Sequence, residues 1–126
     1  MTEPGIGKNS NNPNDPQQAD LPAYTANLKI LVEQLIATEA KLIFATTTPY
    51  PEGVKPLRKP EYAAQYNSAA LSIMTQNGIF VNDLYELVFP KLAEIQKPVN
   101  VHFLKEGSQM MAEQVARSIE EQLPKP

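Results

Sequence analysis

Residues 41–49, Lys-Leu-Ile-Phe-Ala-Thr-Thr-Thr-Pro, constrain the fold more than any other stretch of this chain. Four consecutive apolar residues at 42–45 are typical of a strand that is covered on both faces, as in a parallel α/β sheet. A buried helix segment gives the same run, but its short length and the proline that ends it favour a strand. Ligands bind beyond the carboxyl ends of parallel strands, so we expect residues 46–53 to lie at the functional edge.

Helical patterns surround this strand. Asp20 suits the cap of a helix over about residues 21–39, with an apolar stripe at Tyr24, Leu28, Leu31 and Leu35. Three further apolar residues widen this stripe: Ile30, Val32 and Ile36. Pro60 suits the start of a second helix and Gly78 its C-terminal cap. The buried stripe of that helix is expected at Tyr62, Tyr66, Ala69, Ala70 and Ile73.

A second short buried strand is expected at residues 79–81, followed by a helix from Leu84 that breaks at Pro90. The last helix is expected over about residues 106–122, with its core stripe at Met111, Val115 and Ile119. Two parallel strands joined by a helical crossover make one βαβ unit, and two strands alone leave exposed sheet edges. The order therefore predicts half of a doubly wound sheet.

Composition restricts the partners. The 126 residues suggest one domain, in which residues 1–19, rich in Asn, Pro, Gln and Gly, form a disordered tail ahead of residues 20–126. A net charge of −3 without a basic block gives no reason to expect nucleic acid or an anionic membrane. No cysteine is present for disulfides or thiolate metal sites, and we expect no metal and no cofactor. No signal peptide or membrane span is visible.

The only histidine, His102, stands in Asn-Val-His-Phe, with a glycine five residues later and then Met-Ala-x-x-Val-Ala in the last helix. This block resembles the C-terminal histidine block of the SGNH (GDSL-type) esterases. Residues 40–49 and 66–85 also resemble segments of one branch of that family, described mostly as carbohydrate esterases or acylhydrolases. The resemblance extends over residues 21–123.

The resemblance implies a three-layer, flavodoxin-like α/β sheet and hydrolysis of small-molecule or glycan esters. In the family, a serine in a Gly-Asp-Ser turn attacks the ester, and a histidine removes its proton and later protonates the leaving alcohol. An aspartate three residues before the histidine orients it. His102 matches the position of this general base.

Other family positions are not matched. None of the five serines (Ser10, Ser68, Ser72, Ser108 and Ser118) lies in a Gly-Asp-Ser turn. Val99 stands where the aspartate is usual, and Asn100, one residue closer, is a candidate orienter that cannot balance an imidazolium charge. Asp83, at the carboxyl end of the second strand, could partner His102 or could cap the helix that begins at Leu84.

Two functions are consistent with these features. The first is a partial esterase that carries the histidine block, lacks the nucleophile block and needs a complementing N-terminal half for activity. The alternative is a non-enzymatic binding or assembly module that reuses the half-sheet as a homo-oligomer or with a partner chain. Family members are often exported, but this chain shows no export signal, so no compartment is predicted.

Overall fold

The computed structural model describes residues 20–51, 60–97 and 102–125. The chain alternates helices and strands in its first part and is helical in its second. The elements are α1 (Leu21–Ile36), β1 (Ile43–Ala45), α2 (Pro60–Gln76), β2 (Phe80–Asn82), α3 (Leu84–Val88), a 3₁₀ turn (Phe89–Lys91), α4 (Leu92–Ile95) and α5 (Lys105–Gln122).

The sheet consists of β1 and β2, which are parallel. Ile43 pairs with Phe80, Phe44 with Val81 and Ala45 with Asn82. Helix α2 forms the crossover between them, which confirms the βαβ unit and the general α/β class.

Helix ends follow the capping signals in the sequence. Asp20 Oδ1 accepts a hydrogen bond from the Ala23 N–H at 2.9 Å at the start of α1. After α2, Gly78 has a φ of 65°, and the Ile79 N–H donates to the Met74 carbonyl at 3.0 Å. This is the Schellman arrangement, in which glycine adopts the left-handed conformation without a Cβ clash.

The core lies between one face of the sheet and the helices α1 and α2. Val32, Ile73 and Met74 form its buried centre, and the half-buried residues packed against them are Leu28, Phe44, Ile79 and Val81. Phe44 and Val81 occupy paired positions, so they point to the same face of the parallel sheet.

The predicted stripe of α1 is wrong in its C-terminal half. Tyr24 and Leu28 are half-buried as expected, but Leu31 and Leu35 are exposed, and Val32 is the residue that enters the core at 3% exposure. Val32 lies one turn after Leu28, so the buried line runs along the i, i+4 row. The predicted stripe continued from Leu28 to Leu31 and Leu35 instead, which lie on a different side of the helix.

The predicted stripe of α5 is wrong at two of its three positions, whereas Met111 is half-buried. Val115 and Ile119 are 37% and 47% exposed, whereas Ser118 is only 6% exposed and Gly107 is buried. The reason is that α5 packs against β2 and α3 through a small and polar face that includes Gln114.

The predicted coverage of β1 on both faces is wrong as well. Ile43 and Phe44 are half-buried and Ala45 is exposed, because α5 packs on β2 and leaves this face of β1 partly uncovered. Element boundaries differ slightly from expectation: α1 ends at Ile36, and β2 begins one residue later than predicted. The break at Pro90 is confirmed, since the 3₁₀ turn separates α3 from α4. Among the helices of the described residues, none has the length and apolarity needed to cross a bilayer.

Candidate functional site

Thr46 joins the carboxyl ends of the two strands. Its N–H donates to the Asn82 carbonyl at 3.1 Å, and its Oγ1 donates to Asp83 Oδ1 at 2.9 Å. The same hydroxyl oxygen accepts a hydrogen bond from the Tyr85 N–H at 2.9 Å. Thr46 is 3% exposed, so its hydroxyl is held in one orientation at the edge where parallel sheets bind ligands.

Asp83 caps α3, which confirms one of its two predicted roles. Its Oδ1 accepts from the Glu86 N–H at 3.2 Å, in addition to the Thr46 hydroxyl. These contacts fix the carboxylate at the carboxyl end of β2. Its predicted role as the acidic partner of His102 stays a prediction.

Asn67 fixes the chain just beyond β1, and no role was predicted for it. Its Oδ1 accepts from the Thr47 N–H and its Nδ2 donates to the Thr47 carbonyl, both at 2.8 Å. An asparagine that is 5% exposed must satisfy its amide inside the protein, and Thr47 supplies both partners. The sequence offered little signal for this role, because Asn67 is one of several polar residues in α2.

The loop that carries His102 is tied to the same edge. An antiparallel bridge joins Gln96 to Phe103, and the Lys97 N–H donates to the His102 carbonyl at 2.9 Å. The buried side chain of Gln96 donates through Nε2 to the Pro49 carbonyl at 3.0 Å. Pro49 lies four residues after the end of β1. Because Gln96 bonds Pro49 and also bridges Phe103, the loop that carries the exposed His102 is anchored beside the segment that leaves β1.

Gly107 lets the start of α5 approach α4 closely. A Cβ at this position would lie 2.8 Å from the Ile95 carbonyl oxygen and 2.9 Å from Ile95 Cβ. The glycine five residues after His102 therefore has a packing reason, because it seats α5 against the end of α4. Leu104, at the N-cap of α5, makes no side-chain cap, as its apolar side chain requires; its N–H donates to the Ile95 carbonyl at 2.7 Å.

Tyrosines lie near the start of α1 and on α2. The rings of Tyr24 and Tyr66 are 4.8 Å apart between centroids and tilted by 51°. Burial raises the pKa of both hydroxyls, and charge on Tyr50 raises the pKa of Tyr24 further.

The other predicted site residues divide into two groups. Asn100 and Val99 lie outside the described residues, as do Ser10 and the predicted tail at residues 1–19. The four remaining serines lie on helices as expected: Ser68 and Ser72 on α2, Ser108 and Ser118 on α5. Within the described ranges, no group of three or more His, Asp or Glu side chains is arranged to hold a metal ion.

Comparison with known proteins yields no assignment, since no family model matches the chain and no curated protein is significantly similar to it. The site therefore has to be interpreted from its own geometry. It combines an anchored histidine loop with a hydrogen-bonded threonine–aspartate pair at the carboxyl edge of a parallel sheet.

Proposed function

We propose that this chain forms the histidine-bearing C-terminal half of an SGNH-type ester hydrolase with a three-layer, flavodoxin-like sheet. The substrate class is a small-molecule or glycan acyl ester. His102 acts as the general base, and the nucleophilic serine comes from a complementing N-terminal half. The chain alone is inactive.

The hydrogen bond from Gln96 Nε2 to the Pro49 carbonyl is the observation that carries this proposal. It holds the loop of His102 beside the segment that leaves β1, which is the side of a parallel sheet where active sites are built. A base on this loop can reach a nucleophile presented by a neighbouring strand, provided that the two atoms come within about 2.6–3.2 Å.

Asp83 and Asn100 are the proposed supports of His102. Asp83 Oδ1 already accepts two hydrogen bonds, but a carboxylate has about four acceptor positions and keeps capacity for an imidazole N–H. Asn100, two residues before His102 in the sequence, would orient the ring without balancing its charge.

Uncovered surface on the side of β1 supports the need for a complementing half. The Thr46 N–H points to β2, so the backbone groups of Ala45 point to the opposite edge of β1, where no strand of the described residues pairs with it. On α5, Ser118 faces β2, whereas Val115 and Ile119 lie on the flank that is exposed. An open edge and an apolar flank together are what an added strand and helix would cover.

The test begins with the DNA upstream of Met1, which is expected to encode a Gly-Asp-Ser half. Co-expressed with that half, the chain should hydrolyse p-nitrophenyl acetate with saturable kinetics, and a serine-directed phosphonate should block the reaction. His102→Ala should abolish it, whereas Lys105→Ala, an exposed residue three positions along, should not.

Two results would contradict the proposal. One is saturable, phosphonate-sensitive turnover by the chain alone, which would make one of its own serines the nucleophile. The other is full activity of the complemented His102→Ala variant.

The second candidate function is a non-enzymatic assembly module, and the exposed apolar side chains of α1 and α5 favour it. Those of α1 are Ile30, Leu31, Leu35 and Ile36, and those of α5 are Val115 and Ile119, with Leu123 just beyond it. A homo-oligomer would cover them without any second half. Sedimentation distinguishes the two, because this candidate predicts a defined dimer of the chain alone and no esterase activity in any combination.

A further inference from the structure

A groove borders β2. It has a volume of about 430 Å³ and lies between β2, α3 and α5. Its wall includes the consecutive residues Phe80, Val81, Asn82 and Asp83, with Glu86 on α3 and Glu121 on α5. This volume is in the range of sites that hold small ligands or short segments, roughly 300–1,000 Å³.

The backbone of Val81, and not its side chain, faces the groove. Its side chain packs on the other face of the sheet, against the core of Val32, Ile73 and Met74. Its contribution to the groove wall is therefore its backbone. The Asn82 carbonyl points to β1, where it accepts from the Thr46 N–H, and backbone groups alternate in direction along a strand. The N–H and C=O of Val81 consequently point into the groove.

Polar side chains fix the floor of this groove. Gln114 Nε2 donates to Asn82 Oδ1 at 2.7 Å and holds α5 against β2. Asn82 is 4% exposed and Ser118 is buried beside it, so both are positioned by packing. With its Oδ1 used by Gln114, the Asn82 amide offers its N–H groups to a ligand carbonyl.

The rim of the groove is acidic. Asp83, Glu86 and Glu121 contribute carboxylates from both walls, and among the described lining residues only Arg117 is basic. Carboxylates on facing walls favour a ligand that carries positive charge between them.

We propose that this groove binds a short, extended, lysine-containing peptide segment, which adds to the free edge of β2 as a third strand. Main-chain hydrogen bonds to Val81 supply the pairing, as in other cases of strand addition, and Glu86 and Glu121 select basic side chains. This site does not rest on the proposed ester hydrolysis, because its strand pairing uses Val81 and its charge selection uses Glu86 and Glu121, none of which takes part in that proposal.

The probe is acetyl-Lys-Val-Lys-Val-Lys-amide, titrated into the ¹⁵N-labelled full chain at low salt. Binding should shift the Val81 amide proton downfield and slow its exchange, because it gains a hydrogen-bond acceptor. The same peptide with glutamates in place of lysines should not bind.

N-methylation separates strand pairing from simple charge attraction. In an added strand, only every second residue forms backbone hydrogen bonds to the edge of β2. Two peptides are therefore compared, one methylated at all its lysine amides and the other at all its valine amides. Binding should be lost for one of them and kept for the other. Glu86→Gln with Glu121→Gln should weaken binding several-fold. Glu120→Gln, an exposed residue of α5 outside the groove wall, is the matched control and should not. An unchanged Val81 amide, or equal binding of both methylated isomers, would overturn the proposal.

Discussion

Replacing Gly107 with alanine tests how the histidine loop is held in place. The added Cβ would meet the Ile95 carbonyl oxygen at 2.8 Å, Ile95 Cβ at 2.9 Å and Phe103 Cβ at 3.2 Å. Two of the three contacts are with backbone or Cβ atoms of the segment that ends α4, which cannot rotate away. Helix α5 must therefore move outward, and the bridge between Gln96 and Phe103 must move with it.

The expected magnitude is the difference between two effects. Overpacking costs about 1–3 kcal/mol and sometimes more. Alanine is favoured over glycine inside a helix by about 1 kcal/mol, although Gly107 lies in the first turn of α5, where this gain is smaller. The net loss in the free energy of unfolding should be about 2 kcal/mol, which lowers Tm by about 8 °C for a chain of this size.

Urea unfolding followed by circular dichroism measures the loss, with Ser108→Ala as the matched control. Ser108 is the next residue and is exposed, so its substitution should change stability by less than about 0.5 kcal/mol. The His102 ring resonances should also shift in Gly107→Ala. A variant as stable as the native chain, with unshifted His102 resonances, would show that α5 does not hold the loop as described.

Three further predictions concern backbone strain, the strand junction and alkaline pH. Glu39 has a φ of 63°, a left-handed conformation that glycine adopts without a Cβ clash. Glu39→Gly should therefore raise the free energy of unfolding by about 0.5–1 kcal/mol and raise the urea midpoint, and a lower midpoint would contradict this expectation. Thr46→Val removes the hydroxyl that bonds Asp83 and should cost about 2 kcal/mol, whereas Thr46→Ser should cost less; equal losses would exclude this role of the hydroxyl. Burial raises the pKa of Tyr24 and Tyr66 above 10.0, so the folded state holds these protons more tightly. Stability should then be full below about pH 10 and fall above it, and a double substitution by phenylalanine should reduce that fall; an identical pH profile would refute it.

Local signals in the sequence were sufficient for the caps and the element order. Asp20, Gly78 and Asp83 act through hydrogen bonds and φ values within a few residues, so short-range chemistry determines them. The same holds for the break at Pro90 and for the two short strands. Of the site, the sequence indicated Asp83 at the carboxyl end of the second strand, and the family resemblance added His102 and Asn100 as candidates.

Long-range contacts at the site were not predictable from local pattern. The pairing of Asn67 with Thr47, and of Gln96 with Pro49, joins residues 20 and 47 positions apart. Helix packing decides which backbone group lies opposite each buried amide, and the amide must be satisfied by that group.

Amino-acid periodicity determined that α1 and α5 are helices, but tertiary packing decided which of their faces is buried. In α5 the apolar row of Val115 and Ile119 is exposed, while Gln114 and Ser118 face the protein. A hydrophobic stripe shows which surface of a helix is stabilised when it is buried, but it does not show which element buries it. Within the described residues, β2 presents Asn82 to α5, and Gln114 donates a hydrogen bond to it there. The face of α5 that the sequence marked as core is therefore exposed in the described structure.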